Sequence, residues 1–252
     1  MKKTKPKKPA KKTEVLYTSK PIDNKTAKLE DVNIHYLMIL DKSGSMSSVS
    51  SKTIEGFNSQ LANIEDLVKQ FPDQKYLVSL VTFADDVNSI IDDKPISDIT
   101  PLTNESYRPS GSTALYDAIG NSVKKLAEKI DPNPNARAIV IILTDGEENA
   151  SRQYKSDMIK KLIGEKNATD KWTFVFVGAN QDAALSAQSI GIDRSNSLNY
   201  ASTNVGTTTA FDMLNRNTRL YSVRTAKSRS ATPDSLDDLS KDFFEDNDDS
   251  KK

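Results

Sequence analysis

Two hydrophobic rhythms alternate along this chain. Asn33–Leu40 (NIHYLMIL) is a dense apolar run, the pattern of a strand covered on both faces. Ile54, Phe57, Leu61, Ile64, Val68 and Phe71 then recur every three or four residues, which predicts an amphipathic helix. Lys75–Ala84 (KYLVSLVTFA) predicts a second strand, and Val87–Ile91, beyond the turn at Asp85-Asp86, its hairpin partner. Residues 92–112 form an irregular loop with Pro95, Pro101, Pro109 and Gly111. Leu115, Ile119, Val123, Leu126 and Ile130 mark a second helix, ended by Pro132 and Pro134. Ala136–Leu143 (ARAIVIIL) is the most hydrophobic strand and is expected at the centre of the sheet. Met158, Ile159, Leu162 and Ile163 predict a third helix closing near Gly164. Trp172–Val177 is a strand, Gln181–Ile190 a helix, Ser197–Tyr200 a short strand and Thr203–Tyr221 a last helix.

Strand–helix alternation of this kind predicts an α/β fold: a doubly wound, mostly parallel sheet with one antiparallel edge strand and helices on both faces. One domain over residues 25–225 accounts for nearly all the apolar strands. Residues 1–24 are expected to be a disordered basic tail, and residues 226–252 an acidic, mostly disordered one. Within the acidic tail, Leu236, Leu239, Phe243 and Phe244 offer a short amphipathic helix or a docking motif.

Composition narrows the chemistry. Lys+Arg and Asp+Glu both number 35, so the net charge is zero, but the balance is uneven along the chain. Residues 1–12 hold seven lysines and no acid, whereas residues 234–252 hold eight acids and three lysines. There is no cysteine, which excludes disulfides, thiolate metal sites and a cysteine nucleophile, and suits a reducing, cytoplasmic setting. The single histidine, His35, excludes any site that needs two imidazoles. The longest apolar stretch, Ala138–Leu143, is far short of the roughly 20 residues that span a bilayer, so no membrane association is expected.

The polar residues cluster where strands end. The first strand runs into Asp41-Lys42-Ser43-Gly44-Ser45, the second helix is preceded by Gly111-Ser112-Thr113, and the central strand runs into Thr144-Asp145-Gly146-Glu147-Glu148-Asn149. Ligands of open α/β sheets bind at the carboxyl ends of the strands, near the point where strand order reverses. Carboxylate and hydroxyl oxygens without imidazole or thiolate suit a hard cation, Mg²⁺ first, with Mn²⁺ and Ca²⁺ as alternatives. Ser43 and Ser45, two residues apart in a turn, can aim both hydroxyls at one point, with Gly44 letting the backbone fold closely between them. Thr113 adds a third hydroxyl. Asp41 and Asp145 can ligate directly or hold metal-bound waters. Neutral hydroxyl ligands leave the ion much of its positive charge, which would favour a carboxylate from outside.

Asp-x-Ser-x-Ser after the first strand, a threonine in a later loop and an aspartate after the central strand resemble the von Willebrand factor A (vWA) domain and its metal-ion-dependent adhesion site, MIDAS. Asp41, Ser43, Ser45, Thr113 and Asp145 match that pattern. GSTALYDAI and LTDGEEN are similar to bacterial and phage-type members. The resemblance covers about residues 30–222. It implies a Rossmann-like vWA fold, Mg²⁺ on the serine and threonine hydroxyls, aspartates acting directly or through water, and a partner protein's Asp or Glu completing the octahedron. It also implies a binding module and not an enzyme.

Other polar residues have plainer explanations. Ser47 or Ser48 would cap the first helix. Asp117, in the first turn of the second helix, would complement the helix dipole. Glu147 and Glu148 would repel an acidic ligand if both faced the site, so at least one should point away. Lys42, Arg108 and Arg152 read as solvated charge near the site, His35 as a satisfied core histidine and Trp172 as packing. Two other functions compete. One is a scaffolding or assembly protein acting through its charged tails, with the Lys-rich segment touching nucleic acid or an acidic surface. The other is a Mg²⁺-dependent phosphate-processing enzyme, for which no GxxxxGK[ST] loop or DxD pair is present.

Overall fold

The computed structural model describes residues 31–179, 183–230 and 239–244. The basic segment 1–24 lies outside the described residues, as do 231–238, with Leu236, and 245–252 of the acidic one. Six strands form one sheet: β1 (Val32–Asp41), β2 (Gln74–Phe83), β3 (Val87–Pro95), β4 (Ala136–Thr144), β5 (Trp172–Ala179) and β6 (Ser197–Tyr200). Their order is β3-β2-β1-β4-β5-β6. All neighbours pair in parallel except β3, which returns antiparallel along β2 as the edge. The chain leaves β1 towards β2 on one side and later enters β4 on the other. The reversal in strand order therefore falls between β1 and β4.

Strand β1 shows how the sheet is covered. Ile34, Tyr36, Met38 and Leu40 face one way, against helices α1 (Ser50–Gln70) and α5 (Asn204–Ser230). Leu37 and Ile39 face the other way, against α2 (Leu115–Ile130), α3 (Ser156–Asn167) and α4 (Ala183–Ser189). Period-two side-chain alternation places both sets in cores, so β1 reads as unbroken apolar sequence. No described helix is long and apolar enough to cross a membrane.

Several boundaries differ from the sequence reading. Helix α3 runs through Gly164 to Asn167, because a glycine with positive φ ends a helix and this one stays helical. A turn of 3-10 helix, Gly44–Val49, precedes α1 and contains both Ser47 and Ser48, so neither caps it. Ser47 instead donates to the Gly44 carbonyl at 2.8 Å. Helix α5 extends to Ser230, past the predicted end at Tyr221 and the domain limit at 225. Its buried side carries Thr207, Asn217, Thr218, Ser222 and Thr225, polar residues that a hydrophobicity pattern assigns to the surface.

A short segment of the acidic tail also returns to the domain. Leu239 and Phe243 are buried in the α1/α5 core. The Leu239 carbonyl accepts from Thr173 Oγ1 at 2.8 Å, and Asn196 bridges the segment through Ser240 O at 2.7 Å and Phe243 N at 2.9 Å.

Candidate metal centre

The three polar segments meet at the carboxyl ends of β1 and β4, at the reversal in strand order, where open α/β sheets place their ligands. Asp41, the last residue of β1, is fully buried. Its Oδ1 accepts the Ser43 N–H at 2.6 Å, which folds the chain after β1 into a tight turn. Its Oδ2 accepts from Thr144 Oγ1, the end of β4, at 2.6 Å. Both oxygens are thus held by protein donors. Burial still pushes the Asp41 carboxyl above its ordinary range, the hydrogen bonds from Thr144 and Ser43 opposing that rise and nearby Asp145 adding to it.

Ahead of Asp41 the hydroxyls form a chain. Ser43 Oγ lies 3.0 Å from Ser45 Oγ, and Ser45 Oγ donates to Asp145 Oδ1 at 2.5 Å. Ser43 is buried while Ser45 is exposed, so the line runs from the interior to the surface. Thr113, also buried, faces it from the loop before α2. That loop is anchored twice: Thr113 N–H donates to Asn149 Oδ1 at 2.8 Å, and Thr113 O accepts the Asn149 N–H at 3.1 Å.

Glycines set the spacing, though not the one the sequence singled out. A Cβ on Gly44 would meet only Gly111 O, at an ordinary 3.6 Å, so the turn does not need a glycine there. Gly111 does need to be one: its φ is +82°, and a Cβ would overlap the Asp85 carboxylate. A Cβ on Gly146 would come 3.2 Å from Thr113 Oγ1 and 4.0 Å from Ser45 Oγ. Gly146 therefore keeps open the space that Thr113, Ser45 and Asp145 share.

The structure brings all five predicted residues to one place. Among the described residues no three His, Cys, Asp or Glu side chains form a metal cluster, as this donor set is two carboxylates and three hydroxyls. An all-oxygen set with one exposed end suits a hard cation that keeps water or takes an outside ligand. The two carboxylates lack a nearby cation among these contacts, and a divalent ion would relieve their mutual repulsion. The residues present fit such an ion.

Supporting residues escaped the sequence reading. Asp117 does more than face a helix dipole: buried, it accepts the backbone N–H groups of Arg152 at 2.8 Å and of Gln153 and Tyr154 at 2.9 Å. Glu148 points away from the hydroxyls, as expected of one of the two glutamates, and accepts from Tyr116 N, Ala150 N, Ser151 N and Ser151 Oγ. Together these acids pin the loop after β4 to the start of α2. Tyr107 donates to the Asp41 carbonyl at 2.6 Å, and Ser202 Oγ donates to Asp145 Oδ2 at 3.3 Å. Their partners lie 66 and 57 residues away in sequence, respectively, a separation that leaves no local pattern to read.

Away from the site, His35 is buried and its Nδ1 lies 2.6 Å from Asp93 Oδ1, the satisfied histidine expected. Trp172 is wholly buried and stacks on Phe174 at 5.8 Å between ring centroids.

A family model described as von Willebrand factor type A domain matches residues 37–214, well over half of the chain. No curated protein matches it. Among solved structures, the vWF domain of the type V pili tip protein Mfa5 from Porphyromonas gingivalis is similar at 12% identity and TM-score 0.53, covering 75% of this chain and 96% of that one. Proximal thread matrix protein 1 from the mussel byssus is similar at 18% identity and TM-score 0.50, over 74% of this chain. This chain spans only 46% of that protein's length. A variant of the PilB minor pilin from Streptococcus sanguinis matches at 12% identity and TM-score 0.50, over 79% of this chain and 63% of that one. At such identities the likeness concerns the fold alone.

Proposed function

This chain belongs to the von Willebrand factor type A domain family, and from that premise we propose that it is a metal-dependent protein-binding module with a MIDAS-type site. Ser43, Ser45 and Thr113 hold a divalent cation through their hydroxyls, with Asp145 and Asp41 acting directly or through water. Mg²⁺ is the first choice, and Mn²⁺ or Ca²⁺ share its preference for oxygen. The ion supplies a Lewis-acid position that accepts a carboxylate oxygen from an Asp or Glu of a partner protein. The role is binding, without turnover.

The observation that carries this reading is the run of oxygens from Ser43 through Ser45 to Asp145, at 3.0 and 2.5 Å, beside a Gly146 whose missing side chain leaves room for Thr113 Oγ1. With three neutral hydroxyls as direct ligands and a carboxylate reached through water, a divalent ion keeps positive charge and stays electrophilic. Buried Asp41, with both oxygens occupied by protein donors, is suited to fixing the serine turn and ordering water.

Affinity capture from the native host in Mg²⁺ or in EDTA tests this, with wild type and Thr113→Ala side by side. The partner should be retained by wild type in Mg²⁺ and lost in the other three arms. A complex that survives both EDTA and Thr113→Ala contradicts the proposal.

A further inference from the structure

Tyr200 ends β6 at the carboxyl edge of the sheet. The register brings it level with Asp145. Thr144 of β4 stands opposite Gly178 of β5, and Gly178 opposite Asn199, so the next level holds Asp145, Ala179 and Tyr200. Two strand spacings, about 10 Å, separate the two backbones. Leu143, two residues before Asp145, shares the α1/α5 core with Ala179 and Tyr200, so period-two alternation puts Asp145 on the same face as Tyr200. A long tyrosine and a short aspartate side chain can close such a gap. Two residues beyond Tyr200, the chain meets the same carboxylate again, where Ser202 Oγ lies 3.3 Å from Asp145 Oδ2.

Tyr200 is 7% exposed, and its hydroxyl is buried with no hydrogen-bond partner among the described residues. A phenylalanine would fill the same core position without leaving a buried donor unmade, which is costly. The hydroxyl therefore calls for an acceptor. Burial, and then the charges of Asp145 and Asp41, push its phenol above the ordinary range, so both carboxylates act on it. Asp41 already has a close donor on each oxygen, Ser43 N–H and Thr144 Oγ1, both at 2.6 Å. Tyr107, on which the same two carboxylates act, spends its hydroxyl on the Asp41 carbonyl. Asp145 is different. Its Oδ1 has Ser45 Oγ at 2.5 Å, but its Oδ2 has only Ser202 among the described residues, at a distance beyond the roughly 2.5–3.0 Å of a sound O–H···O bond. A donor without an acceptor thus stands level with an oxygen that lacks a close donor.

We infer that Tyr200 is a positioning residue of the candidate metal centre, its hydroxyl donating to Asp145 Oδ2 when a divalent ion is held by Ser43, Ser45 and Thr113. The inference rests on the metal reading above and adds to it a residue from β6, two strands away from the Asp145 strand. An Asp145 carboxylate turned to serve the ion, directly or through water, gives up the long contact with Ser202 at little loss and gains a short one from Tyr200. The bond forms on loading, so it strengthens metal binding and adds nothing to the stability of the metal-free fold.

Mg²⁺ titration of the full chain, wild type against Tyr200→Phe, tests this by calorimetry and by the NMR signals of ring-labelled tyrosine. Tyr200→Phe should bind Mg²⁺ about tenfold more weakly, as for the loss of one hydrogen bond to a charged group. The metal-free variant should melt at the temperature of wild type or above it, because it sheds a buried unpaired hydroxyl. The Tyr200 signal, identified by its absence from the variant, should move as Mg²⁺ is added. A role in packing alone moves neither the affinity nor the signal. Equal affinities or an unmoved signal overturn this inference and leave the metal reading standing. A metal-free variant that melts below wild type also overturns it, since the hydroxyl then has a partner without metal. No saturable Mg²⁺ binding by wild type overturns the metal reading and this inference with it.

Discussion

Asp117 offers a sharp test of how the candidate metal centre is held. If it served only the α2 dipole, removing its charge would cost about 0.3–1 kcal/mol. The structure gives it a larger task, since its two oxygens accept three backbone N–H groups from residues 152–154 at 2.8–2.9 Å. Hydrogen bonds to a charged group contribute about 1.5–3 kcal/mol each. Three that share one carboxylate are not additive, and freed amides at a loop regain some water. Asp117→Ala should therefore cost about 3–4 kcal/mol, and Asp117→Asn, which keeps one acceptor oxygen, about 2 kcal/mol. Urea denaturation without divalent ions measures both, free of metal linkage. The loop also carries Asn149, which clamps Thr113 on both sides, so Asp117→Ala should weaken Mg²⁺ binding as well. A loss below about 1 kcal/mol for Asp117→Ala would return this residue to the dipole role and refute the clamp.

Three further outcomes follow from the packing. Gly164→Ala, in the middle of α3 with open space around it, should stabilise the fold by about 0.5–1 kcal/mol, while Gly56→Ala, whose methyl would overlap the Phe211 ring between α1 and α5, should cost about 1–3 kcal/mol in the same urea assay. Asp93 sits at φ +51°, where Asn is tolerated; burial alone would raise its carboxyl, but His35 at 2.6 Å and Lys129 at 2.8 Å outweigh burial and hold it below the ordinary 3.8. A depressed carboxylate stabilises the fold above its unfolded pKa and loses that contribution as pH falls through the folded one, so the stability gap between wild type and Asp93→Asn should be full at neutral pH and close below 3.8. Phe243→Ala should cost about 2–4 kcal/mol by thermal or urea melting, because the ring is buried in the α1/α5 core despite lying in the acidic tail.

The sequence carried the sheet, and the gathering of the five candidate residues at one edge of it, for physical reasons. Strands covered on both faces are continuous apolar runs, so the end of each run locates a carboxyl edge, and Asp41 and Asp145 stand at or just beyond such edges. What it carried poorly was structure made by polar contacts. The buried side of α5 is lined with Thr207, Asn217, Thr218 and Ser222, so its last turns look like solvent-facing sequence. Asp117 and Glu148 bind backbone N–H groups, which every residue possesses and no pattern announces. The segment around Phe243 is acidic in composition yet buries two hydrophobic residues, and charge content says nothing about where those two dock. Gly44 drew attention by its place between two serines, while the spacing depends on Gly111 and Gly146, whose importance appears only once other segments approach them.

The central claim is that Ser43, Ser45, Thr113, Asp41 and Asp145 form one divalent-cation site. Calorimetric titration of Mg²⁺ into metal-free protein, wild type against Ser45→Ala, tests it most directly. Ser45 is exposed, so its substitution should leave the fold intact while removing the oxygen between Ser43 and Asp145. Wild type is predicted to bind a single Mg²⁺ per chain and Ser45→Ala to show no saturable heat. Equal binding by the two proteins, or none by wild type, would contradict the account.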